Sequence, residues 1–136
     1  MFRVAFATDD RVSVNQHFGA ATGFAIYALD AGRASLVQVV GFPEEAMDGN
    51  EHKLDAKIDA LSGCAAVYCL AVGGSAVRRL LAGGIQPVRM DGEAAIEPIL
   101  HQLRAAIRDG GIPWVDKHVN RDMNRFDRMA EEGWQE

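Results

Sequence analysis

Apolar residues alternate with period two in the opening segment, "FRVAFAT" (2–8). Phe2, Val4 and Phe6 share one face and the small Ala5 and Ala7 the other, the pattern of a strand covered on both sides. Two further β-branched and aromatic runs, "TGFAIYALD" (22–30) and "ASLVQVVGF" (34–42), flank Ala31, Gly32 and Arg33, which suit a hairpin turn. These three segments predict an antiparallel meander. The period then becomes helical: Leu54, Ile58 and Leu61 recur at i, i+4 and i+7, with Asp48 and Glu51 spaced like a capping box and Gly63 as a stop. A strand "AAVYCLA" (65–71), a short helix "GGSAVRRLLAGG" (73–84) and a strand "IQPVRM" (85–90) follow, with Pro87 marking that strand as an edge. A last helix carries Ile96, Leu100, Leu103 and Ile107, with Pro98 in its first turn or so. From Asp109 the apolar period fades.

Right-handed crossovers make 65–71 and 85–90 parallel. Setting 65–71 beside the opening strand gives an α/β fold with a mixed five-stranded sheet, order 3-2-1-4-5 along the chain, flanked by helices. This is a ribonuclease-H-like layout. The loops after Thr8, Ala71 and Met90 then leave one pole, so "DDRVSVNQHFG" (9–19), "GGS" (73–75) and "DGE" (91–93) should converge where open α/β sheets bind ligands. The first of these is longer than the about two to five residues a hairpin needs.

A chain of 136 residues, 49% hydrophobic, reads as one domain, here residues 1–108 with a tail, 109–136. In that tail Val119, Met123, Phe126 and Met129 approach helical spacing, for a short amphipathic helix that packs on its own domain or docks to a partner. The net charge of −5 and pI near 5.3 argue against nucleic-acid binding, which demands a basic face. The start, "MFRVAFA", is strand-like with no basic n-region, so a cytoplasmic location is expected. The most apolar window is broken by two Gly-Gly pairs and an Arg-Arg pair, so no membrane span is expected.

The convergent pole limits the chemistry. Two-metal phosphodiester cleavage requires carboxylates on adjacent strands, and none falls in 22–29 or 65–71. "CLAVGGSAVRR" matches neither dinucleotide nor P-loop spacing. It still offers a helix N-terminus suited to an anion, with Ser75 and Arg78 one turn apart. The plainer reading is a tight turn with solvated arginines. Cys64 and Cys69, as strand residues, stand about 16 Å apart on opposite faces, too far for a bridge or a shared metal. Cys69, toward the pole, either reaches a ligand or is a small core residue. His17 is followed by Phe18 and Gly19, an anchor and a bend that would direct the imidazole, a common metal ligand. No second histidine stands at a zinc-type spacing from it.

The segments "VAFATDDRVSVNQHFGAATGFAIYALD" and "DGNEHKLDAKIDALSGCAAVYCLAVGGSAVRRLLAGGIQPV" and the final helix resemble the NifX/NafY/NifY family of nitrogenase iron–molybdenum cofactor carriers, over roughly residues 2–108. The resemblance implies a ribonuclease-H-like domain that is not an enzyme. It would bind the iron–sulfur precursor made by NifB, or a later cofactor form, transiently and pass it to the assembly scaffold. It assigns His17 as the metal ligand, and Asn15, Phe18, Gly19, Cys69, Gly73, Gly74, Ser75 and Arg78 as the cofactor-binding surroundings. The alternatives are a nucleotide-responsive domain or a protein–protein interaction module with no cluster.

Overall fold

The computed structural model describes residues 2–42 and 51–121. The central strand, β1 (Phe2–Ala7), pairs antiparallel with β3 (Gly23–Leu29) and parallel with β5 (Ala66–Cys69). Outside these lie β4 (Ala34–Gly41), antiparallel to β3, and β6 (Gln86–Arg89), parallel to β5, so the order is β4-β3-β1-β5-β6. β6, with Pro87, is an edge, as its proline requires. β4 is the other edge, and its register slips at Val37, where Ile26 faces Gln38 and Tyr27 faces Leu36.

The period-two pattern of β1 decides the layers. Val4 and Phe6, with Leu29, Ala66 and Tyr68, face α3 (Ile96–Asp109) through Ile96, Ile99, Leu100 and Leu103. Ala5 and Ala7, with Phe24, Ile26, Val67 and Cys69, face the side carrying α1 (Glu51–Ala60) and α2 (Gly74–Ala82), where Leu61 and Leu80 are buried. Asp48 of the expected capping box lies outside the described residues. Gly63, at φ 89°, takes the left-handed conformation that ends the α1 segment.

Three features depart from the sequence reading. The stretch 9–19 is not all loop: β2 (Ser13–Val14) pairs antiparallel with β7 (Ala94–Ala95), a small second sheet formed directly before α3. The chain does not leave the core at Asp109 either. Residues 113–121 form a further helix, α4, whose Val115 is fully buried in the α3-side cluster, with Trp114 and Val119 packed on it. The remainder of the expected amphipathic stretch lies outside the described residues. Finally, Cys64 and Cys69 share one cluster rather than opposite faces, because Cys64 sits in the turn after α1, its N–H donating to Leu61 O, and not in the strand. Both thiols are free.

Candidate functional site

The loop after β1 is built around Asp10. Its Oδ1 accepts the N–H groups of Val12 (2.8 Å) and Ser13 (2.9 Å) and the Thr8 hydroxyl (3.0 Å), while Arg11 crosses to φ 63° and donates its N–H to Thr8 Oγ1. The backbone N–H of Ser13, then that of Val12, holds the Asp10 carboxyl down to about 2. Ser13 Oγ lies 3.0 Å from both Asp10 Oδ2 and Glu93 Oε1, and Ile96 donates its N–H to Val12 O. The β2–β7 pairing and this hydroxyl therefore fasten the first loop to the "DGE" loop after β6.

The next residues are tied to the exit of β5. Asn15 is bound to Asp9, its Nδ2 donating to Oδ1 at 2.6 Å, and its own N–H donates to Ala7 O. Gln16 O accepts Leu70 N–H (2.9 Å), and Gln16 Oε1 accepts the N–H and hydroxyl of Thr22. Phe18 donates its N–H to Ala71 O (2.8 Å), and its ring is buried 5.6 Å from that of Phe24. His17, between these fixed neighbours, is exposed, and its imidazole has no hydrogen-bond partner among the described residues. The anchor expected of Phe18 is present. The chain also bends at 18–20, where Ala21 donates its N–H to Phe18 O, although Gly19 has no positive φ and a Cβ there would meet nothing within 4 Å.

Two residues beyond Ala71, α2 begins. Its N-cap, Gly73 (φ −73°, ψ 159°), gives no side-chain cap, so the first N–H groups of the helix carry none. Neither Gly73 nor Gly74 has a positive φ, and a Cβ at Gly73 would touch nothing within 4 Å. The fold would accept side chains there. With no side chain at either position, nothing from Gly73 or Gly74 covers the first backbone N–H groups of the helix. Ser75 and Arg78 are exposed, and Arg78 Nη1 stands 3.7 Å from where a Gly74 Cβ would be, over the helix start. Its neighbour Arg79 is instead bound to Asp55 of α1.

Cys69 stands apart from this surface. It is fully buried and desolvation pushes its thiol up to about 11, so it lies beneath the pole as a core residue and presents no thiolate. Among the described residues no group of three or more His, Cys, Asp or Glu could hold a metal ion. Among the described residues, the surface around His17 therefore combines an exposed imidazole, a helix N-terminus with no side-chain cap and the Arg78 guanidinium.

Two residues that shape the site escaped the sequence reading. Gly23 opens β3 where a Cβ would come within 2.8 Å of Val40 O, so only glycine lets β4 approach there. Lys57 of α1 is 1% exposed and donates from Nζ to Gly19 O at 2.6 Å. Its signal was present, since Lys57 occupies the i+3 slot of the Leu54, Ile58, Leu61 stripe, the face that turns inward.

Residues 1–106 match the family model described as dinitrogenase iron-molybdenum cofactor. The chain belongs to this family. It is 48% identical to Protein NifX of Azotobacter vinelandii, in an alignment covering 100% of this chain and 89% of that protein. It is also 36% identical to the FeMo cofactor biosynthesis protein NifB of the same organism, covering 78% of this chain but 22% of that one. The family domain thus also occurs as a small part of a longer protein. A crystal structure of PH0822 superimposes with a TM-score of 0.60 at 22% identity, over 77% of this chain and 90% of that one, which supports the fold. Nitrogen fixation and iron–molybdenum cofactor biosynthesis are the setting of the family.

Proposed function

We propose that this protein binds an iron–sulfur precursor of the nitrogenase iron–molybdenum cofactor, or a later form of it, as cargo on the pole around His17 and hands it on during assembly. The observation that carries this reading is the exposed imidazole of His17, clamped by backbone hydrogen bonds on either side and set beside an uncapped helix N-terminus. An imidazole nitrogen ligates an exposed iron or heterometal. The N–H groups of α2 and the Arg78 guanidinium favour the negative charge of a sulfide-rich cluster. Asn15 and Phe18 fix the loop, and Gly73, Gly74 and Ser75 form the surface on which the cluster rests. Cys69 is left out of the donor set because of its burial.

One protein ligand suits a carrier. A four-cysteine site retains an ordinary cluster, whereas a single metal–imidazole bond exchanges readily with ligands of a receiving protein. NifB as donor and the cofactor assembly scaffold as recipient fit this role. The strand order, with β3 antiparallel beside β1 and parallel strands on the other side, supports assigning the fold to the ribonuclease-H-like class, used here to bind rather than to cleave.

The test is anaerobic titration of the full chain with isolated NifB product and with iron–molybdenum cofactor, followed by absorbance and electron paramagnetic resonance. Wild type should bind and His17→Ala should bind more weakly with an altered spectrum at unchanged melting temperature. Arg78→Ala should show a smaller loss, greater at low salt. Equal affinity and identical spectra for wild type and His17→Ala would refute the ligand assignment.

A further inference from the structure

A buried ammonium lies behind the His17 loop. Lys57 is 1% exposed, and its Nζ donates to the carbonyl oxygen of Gly19, two residues after His17 and 38 residues from Lys57 itself. The Phe42 ring lies with its centroid 5.8 Å from the same nitrogen. Among the described residues no carboxylate pairs with Lys57, whereas Arg79 of α2 is matched by Asp55. Burial depresses the lysine's proton affinity.

An apolar side chain at this point of the α1 stripe would pack without desolvating a charge, and replacing buried ions by apolar groups is often neutral or stabilising. The ammonium must therefore supply something packing does not. It offers a donor and a positive charge, and it delivers both to one loop, the one that carries the free imidazole. Three ties then bracket His17: Gln16 O to Leu70, Phe18 N–H to Ala71 and Gly19 O to Lys57.

We infer that Lys57 is a positioning residue for cargo binding: its ammonium locks the Gly19 carbonyl so that the His17 imidazole is held outward, and places a positive charge behind an anionic cluster. This inference rests on the cargo reading of the pole. Outer partners that orient a metal-ligating histidine typically change metal affinity by about tenfold or more when removed, and a loss of that size is expected here.

The experiment uses the full chain as Lys57→Met, which removes donor and charge, and as Lys57→Gln, which keeps a donor and removes the charge. It has two readouts. In the protein without cargo, amide hydrogen exchange at Phe18 and Leu70 should quicken in Lys57→Met and stay near wild type in Lys57→Gln, with β1 amides unchanged in both. With isolated iron–molybdenum cofactor as the probe, Lys57→Met should bind about tenfold more weakly at an equal or higher melting temperature, and Lys57→Gln should fall between it and wild type. Wild-type exchange together with wild-type affinity in Lys57→Met would overturn the inference. Faster exchange in Lys57→Met with His17→Ala binding as tightly as wild type would instead uphold the tie and refute the cargo reading at His17. Should Lys57→Met fail to fold, Lys57→Gln decides, with wild-type affinity counting against the charge.

Discussion

At the scale of single residues, the pole is an arrangement of partners withheld. Asp10 has taken four donors and Asn15 is spent on Asp9, and among the described residues the imidazole of His17 has no hydrogen-bond partner. The tied carboxylate makes a pH prediction. Because Asp10 is held at about 2, below its ordinary 3.8, its contribution to stability is complete above the ordinary value and is lost as pH falls toward 2. Asp10→Asn should flatten acid unfolding between pH about 4 and about 2, measured by circular dichroism; an identical acid limb would contradict the assignment. The cysteines make another. Burial pushes both thiols up to about 11, so native protein at neutral pH should resist a thiol-specific reagent, and unfolding under anaerobic conditions should release two reactive groups. Rapid native labelling of Cys69 would return it to the donor set. From sequence, Cys64 was misplaced because a strand was extended through it, and a turn residue obeys no two-residue alternation.

Elements that carry a long apolar period were legible in the sequence. β1, β3 and α3 fall on the runs that predict them, since burial on one or both faces selects apolar residues there, and the mostly exposed edge β4 falls on its β-branched run. β2 and β7 were not legible: two residues have no period, and their pairing is imposed by Asp10, Ser13 and Glu93 across the fold. For the same reason His17 could be singled out from its HFG setting, but the lysine behind it could not be placed there by counting alone. The start of α2 yields a contrast between two glycines. Gly73→Ser adds an N-cap acceptor at an extended φ and ψ that serine tolerates, so it should raise stability by a few tenths of a kcal/mol, roughly the serine–glycine difference at this position. The same hydroxyl competes with cargo for the helix N–H groups, and binding should weaken. Gly23→Ala, forced against Val40 O, should instead cost about 1–3 kcal/mol, seen as a lower melting temperature. A destabilised Gly73→Ser with unchanged binding would contradict the bare-terminus assignment.

For the molecule as a whole, α4 is part of the fold rather than an appendage to it. Val115 completes the cluster that holds Ile99, Leu103 and Tyr68, and His118 meets the rings of Phe2 and Trp114 at 5.5 and 6.3 Å. Cutting the chain after Asp109 should therefore broaden or abolish cooperative melting; a truncated protein that melts like the full chain would show that α4 is dispensable. The sequence pattern faded there because, among the described residues of α4, the few that pack on the core, Trp114, Val115 and Val119, are too few to mark a stripe. The hydrogen bond from Ser13 to Glu93 joins residues 80 apart, and that from Lys57 to Gly19 residues 38 apart. Such long-range closures should form late in folding, after the entropy of the intervening chain has been surrendered. A half-folded chain should then have a histidine but no pole. On refolding, capture of the cargo proposed for this pole should appear together with the final tertiary signal and not with early helix formation.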